Sequence, residues 1–453
     1  MLLIRPLAAQ PLPPDPLAFA AKVGLNQAWY VEHDYPATAI SPAHFPSPLP
    51  AARTIQSPTL DHHVYLPLVQ NGEVLTEARA LWVTRWDYNT ITDVQTLVAN
   101  ASGAGFNMLL FQVRGTADAF YTPGLEPWAA RLSGKLGQDP GWDPLQTAIE
   151  AAHAHGLELH AYLNVYTVWV GAAPPPTDTV PAHLFWTLTE RYTDTWRPVD
   201  ISGVTMTLNA GYLWATPALT DVVDHVASVT ADLATRYDVD GVHLDLLRYP
   251  GRDYSYDPFS DAGYEAALTQ EPGLERAEWQ RRQVTLLVNR VYSEVISLRP
   301  ELRLSAAVWP VYQDRWVWGY SEGYGDYYQD SQGWVLSGTI DAIMPMLYPA
   351  SVIASPDLFT PTQFSLLASD FLTHASGRHV FPGISAQYAD FEEIAQRIAI
   401  ARDLGAPGHA IFSARLVANN EYWDEFAAGP YAAPAAVPPV AWQQQRQLAL
   451  SND

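Results

Sequence analysis

From Arg79 onward the chain alternates short apolar runs with longer amphipathic ones, and it does so eight times. The runs begin at Ala80, Asn107, Leu157, Val242, Arg303, Asp341, His379 and His409. Helical patterns separate them near 92–103, 143–155, 217–237, 276–298, 364–375, 391–404 and 422–427. Apolar runs of strand length between turn signals read as buried strands, and strands alternating with helices require parallel pairing through right-handed crossovers. Eight such units in about 350 residues point to an α/β chain forming a (β/α)8 TIM barrel with enlarged βα loops. Residues 1–78 are Pro-rich and aperiodic, with Pro36, Pro42, Pro46, Pro48 and Pro50 crowding one segment. They read as an irregular extension or linker, with at most an edge strand at His63–Val69. The barrel is expected over 79–427, followed by a Pro-Ala-rich surface tail over 428–453.

The fourth run is the most informative. It is entered through Asp240-Gly241 and closed by Tyr249-Pro250-Gly251, and two polar side chains interrupt it, His243 and Asp245. Successive strand side chains point to opposite faces, so Val242, Leu244 and Leu246 share one face while His243 and Asp245 share the other. A carboxylate inside such a run is costly unless it is paired or reaches solvent. The carboxyl end of a barrel strand satisfies that condition, and TIM-barrel chemistry is placed there. The same rule collects a candidate list from the other strand ends: Arg85, Trp86 and Asp87, then Gln112, Arg114 and Asp118, then Tyr162 and Asn164, then Arg248, Trp309, Tyr348, Gln387 and Arg415. Acids, amides, arginines and aromatics together suit a polyhydroxylated ligand. Asp240 and Asp341 fall at strand beginnings and belong to the opposite, structural end.

Composition narrows the partners. With 25 basic against 48 acidic residues the net charge is −23, which argues against nucleic acid or an anionic membrane surface and suits a neutral or cationic substrate. No apolar run approaches the roughly 20 residues of a membrane span. Cysteine is absent, excluding thiolate metal sites, disulfides and cysteine nucleophiles. His153, His155 and His160 do not share a helix face or strand with metal-ligand spacing, and Asp61-His62-His63 lies in the irregular extension. No metal or other cofactor is expected.

Several segments recur in a recognisable order: Phe111-Gln-Val-Arg114, Gly115 with Asp118-Ala-Phe-Tyr121, Glu126-Pro-Trp128 and Asp143-Pro-Leu145. Ala151-Ala-His153-Ala-His-Gly156, His160-Ala-Tyr-Leu-Asn164 and Leu208-Asn209 follow. The strongest are Val239-Asp-Gly-Val-His-Leu-Asp245 with Arg248-Tyr-Pro250, and Arg281-Arg-Gln-Val284. This series resembles the bacterial glycosyl hydrolase-like family ten, whose members look like cell-envelope (β/α)8 glycosidases, some acting on peptidoglycan glycan strands. The resemblance implies an extracytoplasmic glycoside hydrolase acting on a carbohydrate polymer. Met1 to Pro6 lacks the basic region, apolar stretch and cleavage site of an export signal. Where the family often has a second acid directly after the first, this chain has Leu246.

Glycosidic cleavage usually needs two carboxyl groups, one protonating the leaving oxygen and one attacking or activating water. Asp245 is the candidate nucleophile or base. Asp118, within a family-like motif after the second strand, is the candidate proton donor, with Asp87, Glu322 and Asp326 as alternatives. Arg114, Gln112, Asn164, His243, Arg248, Tyr162, Trp86, Trp309 and Tyr348 are candidate substrate contacts. The competing roles are a core histidine for His243, a structural ion pair for Arg114 and loop packing for the aromatics. A non-catalytic glycan-binding barrel is the alternative function.

Overall fold

A computed structural model describes residues 75–209, 211–348 and 359–442. The Pro-rich extension up to residue 74, its expected edge strand and Asp61-His62-His63 lie outside the described residues. The barrel strands are β1 Ala78–Val83, β2 Met108–Arg114, β3 Glu158–Asn164, β4 Gly241–Asp245, β5 Arg303–Val308, β6 Ala342–Pro345, β7 His379–Val380 with Gly383–Ser385, and β8 Gly408–Phe412. Every neighbouring pair is parallel. Among the described residues, helices α1 Ile91–Gly103, α2 Pro144–Ala154, α3 Thr220–Arg236, α4 Arg276–Leu298, α5 Ser331–Ser337, α6 Pro361–Thr373 and α7 Phe391–Asp403 cover the strands, and the short helices Ala414–Asn419 and Trp423–Ala428 follow β8.

Closure depends on the interrupted β7. Its first half pairs with β6 and its second with β8. Between them, the Phe381 amide donates to the Ile343 carbonyl (3.0 Å), and the Pro382 carbonyl accepts from the Ala410 amide (3.1 Å). Proline has no N–H to offer a ladder, so the strand changes partner at the one residue that can only accept. The sheet therefore runs through all eight strand positions and returns to its start.

Local sequence explains the helix starts. Thr90 and Asp93 form a reciprocal capping box on α1, and Asp143 caps α2 with Pro144 in its first turn. Side chains alternate along each strand. Leu81, Val83, Leu109, Phe111, Val242 and Leu244 pack outward in the helix-covered core, while Ala80, Trp82, Met108, Leu110, Tyr162, Met344 and Phe381 fill the barrel interior.

Three strands end two or more residues earlier than their apolar runs suggest, β6 among them, at Pro345 instead of Leu347. β1 was expected to reach Trp86 and stops at Val83, because Asp87 accepts from both the backbone amide and the hydroxyl of Thr84 (2.8 Å each) and bends the chain. β4 was expected to reach Leu247 and stops at Asp245, since Leu246 turns into the left-handed region at φ 51°.

The floor of the barrel is sealed by charge. Asp240 accepts from the Leu159 amide (2.7 Å) and Asp341 from the Leu304 amide (2.8 Å), each stitching adjacent strand beginnings. The tail after Gly429 does more than lie on the surface. Ala435–Ala436 pairs in parallel with Leu75–Thr76. Buried Arg79 donates to the carbonyls of Tyr431 and Ala433, Arg303 to that of Pro438, and the Trp442 indole to Asp341. Truncation after Gly429 therefore strands buried guanidinium donors, and we expect it to lower unfolding free energy by at least about 3 kcal/mol in chemical denaturation. No helix among the described residues is long and apolar enough to cross a membrane.

Candidate active site

Asp245 is the last residue of β4 and its side chain sits at the carboxyl end of the barrel, only 5% exposed. Both oxygens are held: the Tyr162 phenol from β3 donates to Oδ2 (2.7 Å) and the Leu246 amide to Oδ1 (2.6 Å). The turn at Leu246 is what aims that amide back at the carboxylate. Burial raises the Asp245 pKa above the ordinary aspartate range, opposed by the Tyr162 phenol, the Leu246 amide and the positive charge of Arg248. The result is a desolvated carboxylate whose orientation is fixed by two donors.

Beneath it lies His243, fully buried. The Trp82 indole N–H donates to its Nε2 (3.0 Å), while Nδ1 faces the Ser305 hydroxyl (2.9 Å). An indole can only donate, so this network assigns the imidazole proton to Nδ1. Burial pushes the His243 pKa well below the usual range. His243 was a candidate substrate contact; it is instead a neutral core histidine that fixes Trp82 and packs edge-on against Tyr162. Tyr162 likewise acts on Asp245 rather than forming a subsite wall.

Arg248 lies over the rings of Tyr327 (4.7 Å), Trp309 (5.1 Å) and Trp214 (5.5 Å). Trp309, expected as an open stacking surface, is 4% exposed. It packs on Tyr327 and donates its indole N–H to the Ser321 carbonyl. These rings cage a cation next to Asp245. Tyr348 stacks on Phe412 and meets Trp82 edge-on, and so belongs to the barrel filling.

A belt of amides crosses the first three strand ends. Gln112 Oε1 accepts from the Arg85 amide (2.9 Å), and its Nε2 donates to Asn164 Oδ1 (3.2 Å). Asn164 stands in register with Asp245 across β3 and β4. Arg114, expected to meet a ligand or mouth carboxylate, forms a structural ion pair. It donates to both oxygens of Glu126 and to the carbonyls of Asn164 and Val165, entirely buried. His225 reaches the same Glu126 (2.8 Å), whose pKa falls to about 2: burial opposes ionisation, but Arg114 and His225 outweigh it. Glu126 was visible only as part of the Glu126-Pro-Trp128 motif. Trp214 and Tyr327 carried no local signal, because loops distant in sequence bring them to Arg248.

The candidate proton donors differ in setting. Asp118, partly exposed in the loop after β2, accepts at Oδ1 from the amides of Thr116 (2.8 Å) and Gly115 (3.3 Å). Asp87 is committed to Thr84 and lies 3.4 Å from Arg415. Glu322 accepts from the Asp314 amide, and Asp326 pairs with Arg252. His153, His155 and His160 bond to three different partners, Asp240, the Ala151 carbonyl and Glu158.

Comparisons with known proteins bear on the family and the fold. The chain is 25% identical over 412 residues to glycosyl hydrolase YngK of Bacillus subtilis, covering 84% of this chain and 76% of that protein. It is 29% identical over 258 residues to glycosyl hydrolase DigH of Escherichia coli K12, covering 54% of this chain and 55% of that protein. In structure it is similar to the PgaB (BpsB) glycoside hydrolase domain of Bordetella bronchiseptica, with a TM-score of 0.56 at 14% identity, covering 77% of this chain and 97% of that one. It is also similar to the catalytic domain of a Paenibacillus polymyxa β-amylase, with a TM-score of 0.53 at 12% identity over 84% and 99%. Those two likenesses bear on the fold alone, a TIM barrel. The family model for glycosyl hydrolase-like 10 matches residues 77–363, well over half of the 453 residues, and the chain belongs to that family.

Proposed function

We propose that this barrel is an extracytoplasmic O-glycoside hydrolase cleaving a glycan polymer, with peptidoglycan glycan strands as the substrate class. The observation that carries the reading is Asp245, oriented by the Tyr162 phenol and the Leu246 amide at the end of β4. In this reading Asp118 protonates the departing glycosidic oxygen, and Asp245 attacks the anomeric carbon or activates water. Asn164, in register with Asp245 and oriented by the buried Gln112, is the amide that meets a sugar hydroxyl, and caged Arg248 offsets the charge of the buried carboxylate.

The test is release of new reducing ends from purified peptidoglycan glycan strands and from neutral polysaccharides. Release from the strands supports the reading. Binding without release leaves the glycan-binding barrel in its place, a reading that Leu246 favours by standing where a second acid is expected.

Tyr162 supplies a sharper check. Removing its hydroxyl removes one of the influences that lower the Asp245 pKa. If Asp245 must be ionised, Tyr162→Phe moves the acid limb of the kcat/KM profile to higher pH. A lost hydrogen bond to a charged group predicts a fall in kcat/KM of about ten-fold, larger at acid pH than at neutral pH. An unchanged acid limb contradicts the assignment.

A further inference from the structure

β4 and β5 pair in register from Gly241 with Arg303 to Leu244 with Ala306. Continued beyond the end of that ladder, the same register sets Leu247 opposite Trp309, and a side chain takes over between them. Gln329, in the loop between β5 and α5 and 1% exposed, donates Nε2 to the Leu247 carbonyl (3.0 Å) and accepts at Oε1 from the Trp309 amide (2.7 Å). A backbone amide only donates and a carbonyl only accepts, so these partners fix which way the carboxamide faces. Gln329 thus stands in for one peptide unit between two diverging strands. Its own amide donates to the Gly323 carbonyl (2.8 Å), which ties it to the loop behind.

The segment that Gln329 grips is the turn that serves Asp245. Leu246 lies at φ 51°, a region that a residue with a Cβ keeps only where its surroundings over-determine it. The Arg248 amide closes the turn on the Leu246 carbonyl (3.0 Å), with Leu247 at its centre. Within the same turn the Leu246 amide holds Asp245 Oδ1 (2.6 Å). At its other end Gln329 holds Trp309, whose ring lies 5.1 Å from the Arg248 guanidinium. One buried carboxamide therefore reaches both the turn that orients the carboxylate and a wall of the cage around Arg248.

We propose that Gln329 is a positioning residue for Asp245, holding the Leu246 turn so that its amide stays on the carboxylate. The catalytic consequence rests on Asp245 being the nucleophile or base of the reading above. The Leu246 amide favours the ionised carboxylate. Releasing the turn therefore raises the Asp245 pKa further and misaligns the carboxylate that remains, a loss that falls on kcat more than on KM. The barrel survives the release, since the Tyr249 amide still donates to the Tyr327 carbonyl (3.0 Å) and the β4–β5 ladder is untouched.

The test titrates Asp245 directly, by carboxyl NMR of aspartate-labelled protein, with Asp245→Asn assigning the resonance. Gln329→Met removes both hydrogen bonds at similar side-chain length and is expected to raise the Asp245 midpoint by about one pH unit. With glycan as substrate, kcat should fall about ten-fold and KM change by less than about two-fold, with the acid limb of the rate profile following the titration. Val98→Ala, a core truncation in α1, reports the effect of destabilisation alone and should leave the midpoint where it is. Gln329→Asn keeps an uncharged amide too short to span Leu247 and Trp309. It should shift the midpoint in the same direction, and it decides the matter where Gln329→Met does not fold. A midpoint unchanged from wild type in the folded variants overturns the role, as does an equal shift in Val98→Ala. A chain that titrates as expected but releases no reducing ends counts against hydrolysis and leaves the positioning of Asp245 standing.

Discussion

Asp245→Asn removes glycan cleavage, by a factor on the order of 10⁴ or more in kcat, and leaves the barrel folded. The two halves of this expectation have separate causes. Loss of a nucleophile or base removes the group on which the proposed displacement depends. The fold survives because the single carboxamide oxygen of asparagine still accepts from the Leu246 amide, while its NH2 can donate to the Tyr162 phenol oxygen once that hydroxyl turns from donor to acceptor. Stability should even improve slightly at neutral pH. The folded-state pKa of Asp245 is raised by burial, so ionisation opposes folding above the unfolded value; the neutral amide has no such cost. Reducing-end assays and denaturant unfolding on the same preparations check both. Residual activity close to wild type removes Asp245 from the mechanism, and collapse of the fold would show that the donors require the charge.

Glu126→Gln is expected to destabilise the protein by about 3–5 kcal/mol at neutral pH, because it leaves the buried guanidinium of Arg114 without its counter-charge. Glu126 has a folded pKa of about 2, below its unfolded value. Its contribution is therefore fully present above the ordinary glutamate range and is lost as pH falls from there toward 2. Urea midpoints measured between pH 7 and pH 3 should decline in the wild type partly through this residue, and the variant should show a shallower decline from a lower start. Because Arg114 also holds the Asn164 and Val165 carbonyls beside the Asn164–Asp245 pairing, the same substitution should depress activity more than a remote destabilisation of equal size.

The barrel strands were legible because their apolar runs and helical spacers are local patterns. β5 and α4 fall at the expected residues, and most other elements within a few. The ends of β1 and β4 were less legible, since side-chain bonds from Asp87 to Thr84 and a left-handed Leu246 override apolar character. The role of the tail after Gly429 was not legible at all. Proline and alanine carry no signal for the buried arginines that their carbonyls satisfy.

Among candidate site residues, placement at the strand ends followed from chain position and the fold. Function at that end did not. Arg114 could as well have met a ligand as an acid twelve residues on, and the structure gives it Glu126. The apparent stacking wall at Trp309 became one side of a cage around Arg248, with Trp214 and Tyr327 arriving from other loops.

Residue order alone thus determined the eight-fold alternation, the inward face of β4 and the presence of Asp245 on it, because each depends on periodicity and near neighbours. The tertiary structure alone decided which polar groups pair with each other. That division is physical: burial and counter-charge are set by groups brought together from the ends of different strands, and no stretch of chain contains both members of those encounters.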